Sequence, residues 1–131
     1  MVAHTYWRKM MRYRVEIPMK LPSLNTYINV CRTNHYKAAK FKKDLEEEIS
    51  IYLRPLPKIE KPVKILFTWI EENRRRDCDN ICAAKKFILD ALVKAGRLQN
   101  DNRKCVTAFT DEFDYGVEAK VILVIEEEEK E

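Results

Sequence analysis

The stretch Val63-Lys64-Ile65-Leu66-Phe67-Thr68-Trp69-Ile70 decides the fold class. It is rich in β-branched and aromatic side chains, which favour strands. It is also too short to be a helix between the proline-containing segment before it and the charged segment after it. We therefore predict a strand in the middle of a sheet, with Phe67 and Trp69 buried.

The chain before this strand predicts a second strand and a loop. In Arg12–Ile17, charged side chains alternate with aromatic or aliphatic ones. This period of two is typical of a strand with one face in water. Pro18 and Pro22 follow and end the strand. Because the residue before a proline is biased towards extended backbone, we predict an extended loop over Met19–Asn34.

Two amphipathic helices are predicted, one before and one after the central strand in the sequence. The first begins near His35 and stops at Pro55-Leu56-Pro57. The second runs from about Asn80 to Ala95, with Asp79 as its N-cap and Gly96 as the residue that ends it. Apolar side chains recur at spacings of three and four in the first helix, and a similar stripe in the second faces the core. The residues concerned are Ala38, Phe41, Leu45, Ile49 and Tyr52, and then Ile81, Ala84, Ile88, Ala91 and Ala95.

The last part of the chain predicts two strands, about Cys105–Thr110 and Val117–Ile125, joined as a hairpin around Asp114-Tyr115-Gly116. The element order is then β-α-β-α-β-β. The economical packing is an α+β fold, a mixed sheet of about four strands with two helices on one face. A chain of 131 residues is expected to form a single domain. Residues 1–11 are predicted to be an N-terminal extension and residues 126–131 a loosely ordered acidic tail.

Apolar runs and cysteines exclude several classes of protein. The longest apolar run, Val121–Ile125, has five residues, far fewer than the roughly 20 needed to span a bilayer. The first dozen residues lack the apolar core of a secretory signal. The four cysteines do not form a disulfide framework, and their spacing makes a zinc site the weaker alternative to reduced thiols. They are Cys31, Cys78, Cys82 and Cys105. We therefore expect a cytoplasmic protein.

Charge is distributed unevenly along the chain. Residues 1–44 hold ten Lys or Arg against two acids, a net charge of +8, whereas residues 111–131 hold nine acids against two lysines, a net charge of −7. A basic front half is typical of a protein that binds phosphates. A lysine-rich solvated surface explains the same composition, and composition alone leaves both interpretations open.

The densest cluster of charged residues is Asn73–Asn80, in which three consecutive arginines precede Asp77 and Asp79. A turn at this point would let the two carboxylates converge on Mg²⁺, which favours carboxylate oxygens and needs only two or three of them. The alternative is structural: Asp79 caps the helix and Asp77 pairs with an arginine. The three arginines favour an anionic ligand, because surface loops seldom concentrate such charge without one.

Helical periodicity selects further candidates. At 100° per residue, Lys86 and Asp90 lie on the same helix face as Asp79, whereas Lys85 points about 100° away from Lys86. An exposed ion pair between Lys86 and Asp90 is the simpler reading of those two residues. Asp101 follows in a loop that could fold back beside the first two aspartates.

These residues resemble a known family, the RusA-type Holliday junction resolvases. The resemblance lies in Arg75–Asn80, then in the helix end Lys86–Gly96, then in Asn100-Asp101. Upstream, Leu21–Asn25 is similar to a proline-containing loop of the family. The resemblance covers about residues 13–125.

The resemblance implies a Mg²⁺-dependent, homodimeric endodeoxyribonuclease that nicks paired strands at four-way DNA junctions in recombination and repair. Mn²⁺ is expected to substitute for Mg²⁺. The expected setting is a bacterial cell, and the question whether the protein is encoded by the host or by a phage or prophage stays open. By motif position, the catalytic residues are Asp77, Asp79, Asp101 and Lys86. The three aspartates would hold the metal, with Asp90 as a further ligand candidate. The expected DNA-binding residues are Arg74, Arg75, Arg76, Lys85 and Asn25.

Two departures from the family pattern leave questions open. Three additional residues between Asn80 and the lysine leave Lys85 as an alternative to Lys86. Asn100 stands where many members have an aspartate. Two rival functions also stay open: a nucleic-acid-binding module without catalysis, and a flap or single-strand nuclease that uses the same acids.

Overall fold

A computed structural model describes residues 11–128 of the chain. The elements are β1 (Arg12–Ile17), α1 (Leu24–Thr33), α2 (His35–Tyr52), β2 (Val63–Glu71), α3 (Cys78–Cys82), α4 (Lys85–Lys94), β3 (Val106–Tyr115) and β4 (Lys120–Glu127). The α+β class is confirmed. The predicted extension at residues 1–10 and the end of the predicted tail at residues 129–131 lie outside the described part.

The four strands form one mixed sheet in the order β1-β4-β2-β3. β4 pairs antiparallel with both β1 and β2, and β3 pairs parallel with β2. The prediction that the second strand is central is therefore confirmed. Phe67 and Trp69 on β2 have exposed fractions of 0% and 2%, so their predicted burial is also confirmed.

The predicted hairpin between the last two strands is wrong. β4 lies on the opposite side of β2 from β3, so the connection between them crosses the end of β2. Gly116 makes this crossing: its N–H donates to the carbonyl of Glu71 at 3.0 Å. A Cβ added at Gly116 would lie 2.9 Å from Cγ2 of Ile70, so a side chain there would collide with the strand below. Close approach of the backbone, and not a tight hairpin turn, is what this glycine permits.

The predicted extended loop over residues 19–34 is wrong in its second half, which forms α1. Ser23 is the N-cap, and its hydroxyl accepts a hydrogen bond from the backbone N–H of Thr26 at 3.2 Å. Asn34 ends α1 and caps α2 with its side-chain oxygen. No residue of α1 is fully buried. The helix was missed because the two prolines before it favoured an extended loop. Pro22 stands just before the N-cap, where it is compatible with a helix start.

The second predicted helix is interrupted. α3 ends at Cys82 and α4 begins at Lys85, with Ala83 and Ala84 between them. Asp77 occupies the N-cap position that was predicted for Asp79. Gly96 ends α4 as predicted, with a φ of 71°. The uniform 100° step used to relate Asp79 to Lys86 and Asp90 is therefore not continuous through Ala83 and Ala84.

The helices pack on one face of the sheet. Side chains from α2 and α4 join those of β1, β2 and β4 in one apolar core. Its fully buried members include Ile17, Ile49, Ile65, Ile88, Leu92 and Leu123. Alternate residues on the other face of the sheet, such as Leu66 and Val124, remain half exposed. Within residues 11–128, no helix has the length and apolar character to cross a membrane.

The acidic segment predicted as a tail begins inside the sheet. β4 continues to Glu127, whose carboxylate accepts a hydrogen bond from the Tyr13 hydroxyl at 2.7 Å. Glu128 accepts one from Thr107 at 2.6 Å. These acids hold neighbouring strands together.

Candidate active site

The two predicted carboxylates lie at the start of α3. Asp77 ends the loop of residues 72–77 between β2 and α3, which we call the acidic loop, and Asp79 lies in the first turn of α3. Asp77 is the N-cap residue, but its side chain makes no capping hydrogen bond. The Asp79 carboxylate accepts a hydrogen bond only from the N–H of the next residue, Asn80, at 3.0 Å. Both aspartates are exposed, and within residues 11–128 no ion pair involves either one. The structural roles weighed for them, a side-chain cap and an arginine partner, are therefore not what the described residues show.

Arg76 holds the acidic loop in place. Its guanidinium donates two hydrogen bonds to the Glu71 carboxylate, at 2.7 and 2.8 Å, and a third to the carbonyl of Leu21 at 3.0 Å. The two side chains are only 18% and 10% exposed. The end of β2, the loop before α3 and the Leu21–Asn25 segment are thereby joined. Sequence reasoning placed Arg76 against DNA and missed Glu71, because a pairing across a loop leaves no periodic signal.

The two preceding arginines are more exposed. The Arg74 guanidinium lies 4.7 Å from the centre of the Tyr115 ring, a cation–π distance. The backbone N–H of Arg75 donates to the Asn73 side chain at 3.0 Å, which fixes the turn of the loop. Asn25, a further predicted DNA contact, is exposed in the first turn of α1.

Lys86 and two predicted acids are brought together. The Lys86 ammonium lies 3.0 Å from an oxygen of Asp101 and 3.0 Å from an oxygen of Asp90. Lys42 on α2 contacts the other oxygen of Asp90 at 2.8 Å. The Lys86–Asp90 pair is therefore real, and it extends to Asp101 in the loop after Gly96. Lys42 was missed, because its position among the lysines of α2 does not distinguish it.

Mutual contacts fix the charges of this network. Hydrogen bonds with Asp101 and then Asp90 raise the pKa of Lys86 above its ordinary value. Burial opposes ionisation of Asp90, but the hydrogen bonds from Lys42 and Lys86 outweigh it and hold the pKa of that carboxyl below its ordinary value. The hydrogen bond with Asp90 also raises the pKa of Lys42. At neutral pH Lys86 is therefore a permanent cation and Asp90 a permanent anion.

Lys85 points to a different place, the edge of the sheet. Its ammonium contacts Asp111 of β3 at 2.6 Å, and the other oxygen of Asp111 accepts a hydrogen bond from the Trp69 indole at 2.8 Å. The ammonium also lies over the rings of Phe67 and Phe109, at 5.3 and 4.8 Å from their centres. Of the two candidate lysines, Lys86 is the one in contact with Asp101. Asp111 was missed, because it lies on a strand predicted to end before it.

Three-residue metal clusters are not formed within residues 11–128: no group of three or more His, Cys, Asp or Glu side chains stands close enough to hold an ion. The predicted set Asp77, Asp79 and Asp101 is therefore not gathered, and Asp101 is bound to Lys86. The donor chemistry still fits Mg²⁺, because this ion commonly takes only one or two protein carboxylates and completes its shell with water and substrate phosphate.

None of the four cysteines is paired with another, and Cys78 is the exposed one. Burial and the nearby charge of Asp111 raise the pKa of the Cys82 thiol. This thiol therefore stays protonated, which argues against a role as a nucleophile or a metal ligand.

The fold and the site together define a small α+β protein with exposed carboxylates at a helix start and arginines beside them, an arrangement suited to an anionic substrate. Residues 3–126 match the model of the family described as Endodeoxyribonuclease RusA. The chain therefore belongs to this family of endodeoxyribonucleases, and the resemblance seen in the motifs is confirmed. No curated protein matches the chain.

Proposed function

We propose that this endonuclease is a Mg²⁺-dependent, structure-selective enzyme that resolves Holliday junctions by paired symmetric nicks in DNA recombination and repair. The observation that carries the proposal is the exposure of Asp77 and Asp79 at the start of α3, with no ion pair to either within the described chain. Carboxylates that stabilise neither a cap nor an ion pair are available to a ligand.

Asp77 and Asp79 would hold the ion. Asp101, of which one oxygen contacts Lys86, would have to turn towards them to complete the set. When bound, Mg²⁺ lowers the pKa of a coordinated water and polarises the phosphate. The loop is kept in position by the Arg76–Glu71 pair, so the two neighbouring carboxylates are presented from a fixed backbone. Asp90 is assigned to the lysine network, because both of its oxygens already contact ammonium groups.

Lys86 would stabilise the negative charge that develops on the scissile phosphate. Its side chain is 64% exposed although the ammonium contacts two carboxylates, so the side chain is accessible to a phosphate. The raised pKa keeps it protonated across the physiological range. A preorganised cation beside the reacting phosphate contributes electrostatic stabilisation without reorganisation.

Arg74 and Arg75 would contact flanking phosphates, which position the backbone without reading its sequence. Arg76 acts as a positioning residue. Asn25 and the lysines of α2 extend the surface that faces DNA. Steep loss of affinity between 50 and 200 mM salt is expected if several phosphates are contacted.

Paired nicks require two related active sites, and a symmetric homodimer supplies them. The sheet face opposite the helices offers an apolar surface for such a contact, since Leu66, Ile122 and Val124 are half exposed there. Sedimentation at several protein concentrations tests the dimer.

The function is tested with labelled four-way junctions, Y-forks and plain duplex, incubated with Mg²⁺ or Mn²⁺. We expect symmetric nicks in the junction, and we expect Asp79→Asn to bind the junction without cutting it. Asp44→Asn is the matched control, because Asp44 is an exposed carboxylate paired with Lys40 on α2. Normal cleavage by Asp79→Asn would refute the ligand assignment. Preferential cutting of Y-forks would indicate a flap nuclease, and binding with no cleavage under either metal would indicate a non-catalytic module.

A further inference from the structure

β3 presents a row of aromatic rings on the helix-covered side of the sheet. Among the strands of residues 11–128 it is an edge strand, paired with β2 alone. The parallel register places Phe109, Phe113 and Tyr115 opposite Ile65, Trp69 and Glu71, which are all buried beneath the helices. Because paired residues point to the same side of a sheet, the three rings share that face.

The helices do not extend over this row. Only Val106, at the start of β3, is fully buried. The exposed fractions of Phe109, Phe113 and Tyr115 are 45%, 38% and 51%. At about 3.3 Å per residue, the second and third rings are roughly 7 Å apart along the strand. Phe109 lies about 13 Å from Phe113 along the strand, beyond Asp111, so the row is an adjacent pair of rings and a third ring. Exposed large rings on one face are typical of a binding surface.

Cations lie at both ends of the row. The Arg74 guanidinium stands over the Tyr115 ring at 4.7 Å, and the Lys85 ammonium stands over the Phe109 ring at 4.8 Å. The acid between the rings, Asp111, is neutralised by Lys85 and hydrogen-bonded to the Trp69 indole. The two carboxylates of β2 and β3 on this face, Glu71 and Asp111, are therefore both paired with cations. The other acids of β3, Glu112 and Asp114, alternate to the opposite face.

We propose that Phe109, Phe113 and Tyr115 form a stacking surface for unpaired bases of single-stranded DNA. Every base has a π-face, and flat rings flanked by basic side chains bind single strands without sequence preference. Arg74 belongs to the acidic loop, and Tyr115 pairs with Glu71 at the strand end from which that loop leaves. The row therefore leads towards Asp77. Where bases open at a branch point the row would bind them, and it would therefore favour branched DNA over plain duplex.

The proposal rests on the proposed function only for the position of the cut; base stacking itself is measured without cleavage. The probe is a single-stranded oligonucleotide that contains 2-aminopurine, titrated with the full chain without divalent metal. We expect fluorescence quenching on binding. Phe113→Ala and Tyr115→Ala are each expected to weaken binding by about 5-fold or more, the equivalent of one lost base stack.

Tyr36→Ala is the matched control, since Tyr36 is an 88% exposed ring on α2 outside the row. It is expected to leave the affinity unchanged, and circular dichroism verifies that each variant folds. Unchanged affinity in Phe113→Ala and Tyr115→Ala, or no quenching by the unaltered chain, would overturn the proposal. So would a change of oligomeric state in these variants with single-strand affinity intact, because the row would then be a contact between copies.

The two proposals fail separately. If the chain quenches the fluorescence but cuts no junction, the stacking proposal is supported and the proposed junction-resolving activity is refuted. If the chain cuts junctions, and Phe113→Ala and Tyr115→Ala change neither the cleavage nor the single-strand affinity, the junction-resolving activity is supported and the stacking proposal is refuted.

Discussion

Arg76→Ala is expected to lower the free energy of unfolding by about 3 kcal/mol. The guanidinium makes two short hydrogen bonds to Glu71 and one to the Leu21 carbonyl. Removing one partner of a buried ion pair costs about 3–5 kcal/mol, since the remaining charge is left without a partner. We take the lower end of that range because the Arg76 and Glu71 side chains are still 18% and 10% exposed.

The assay is a double-mutant cycle measured by urea denaturation. Arg76→Ala and Glu71→Ala are each expected to cost about 3 kcal/mol, but the double variant is expected to cost about 3–4 kcal/mol, because neither charge is then left unpaired. Arg76→Lys keeps the charge but loses the planar fork and the contact with Leu21, so an intermediate loss of about 1–2 kcal/mol is expected.

Additivity would refute the reasoning. If the double variant loses the sum of the two single losses, to within about 0.5 kcal/mol, then the two side chains do not stabilise each other. Cleavage by Arg76→Lys supplies a second readout. A positioning role predicts a fall in kcat with little change in junction affinity, whereas a direct phosphate contact would lower affinity and reduce its dependence on salt.

Three further changes test other parts of the fold. Gly96→Ala places a side chain at a φ of 71° and is expected to lose about 1 kcal/mol by thermal denaturation, from backbone strain alone because no atom lies within 4 Å of the added Cβ. The hydrogen bond to Glu127 raises the pKa of Tyr13. The contribution of this bond to stability is therefore complete below the ordinary pKa of 10.0 and is lost as the pH rises through the pKa of the folded protein. Between pH 8 and pH 11 the melting temperature should therefore fall less in Tyr13→Phe than in the unaltered protein. Lys85→Met leaves the Asp111 side chain, which is 22% exposed, without its cationic partner and with only the hydrogen bond from Trp69. The expected cost is about 2 kcal/mol in urea denaturation, and restoration of stability by adding Asp111→Asn would support the pairing.

Elements with strong local signals are predictable from the sequence. β1 was predicted at Arg12–Ile17 and lies there, because a period of two is a local property. The α2 helix and the central position of β2 follow from apolar periodicity and from β-branched composition. Gly96 is predictable as a helix end because a positive φ favours glycine.

Features that depend on distant pairing are not predictable in this way. The place of β4 between β1 and β2 is set by contacts across most of the chain, and the local turn signal at Gly116 suggested a hairpin instead. The helix interruption at Ala83 and Ala84 has no proline or glycine to mark it.

The same distinction between local signals and distant pairings applies to the candidate site. The motif residues Asp77, Asp79 and Lys86 are recognisable from spacing and resemblance. Their partners Glu71 and Lys42 are not, because each pairing joins elements whose approach only the fold determines.

The central place of the last strand has a consequence for how the chain is made. β1 and β2 are never direct neighbours, since β4 lies between them and pairs with both. During synthesis the sheet therefore stays open until residues 120–127 have left the ribosome. The end of β2, from which Glu71 anchors the acidic loop, gains its antiparallel neighbour only then. A chain that stops before residue 120 consequently lacks the strand that joins β1 to β2, and the end of β2 that anchors the acidic loop has no antiparallel neighbour.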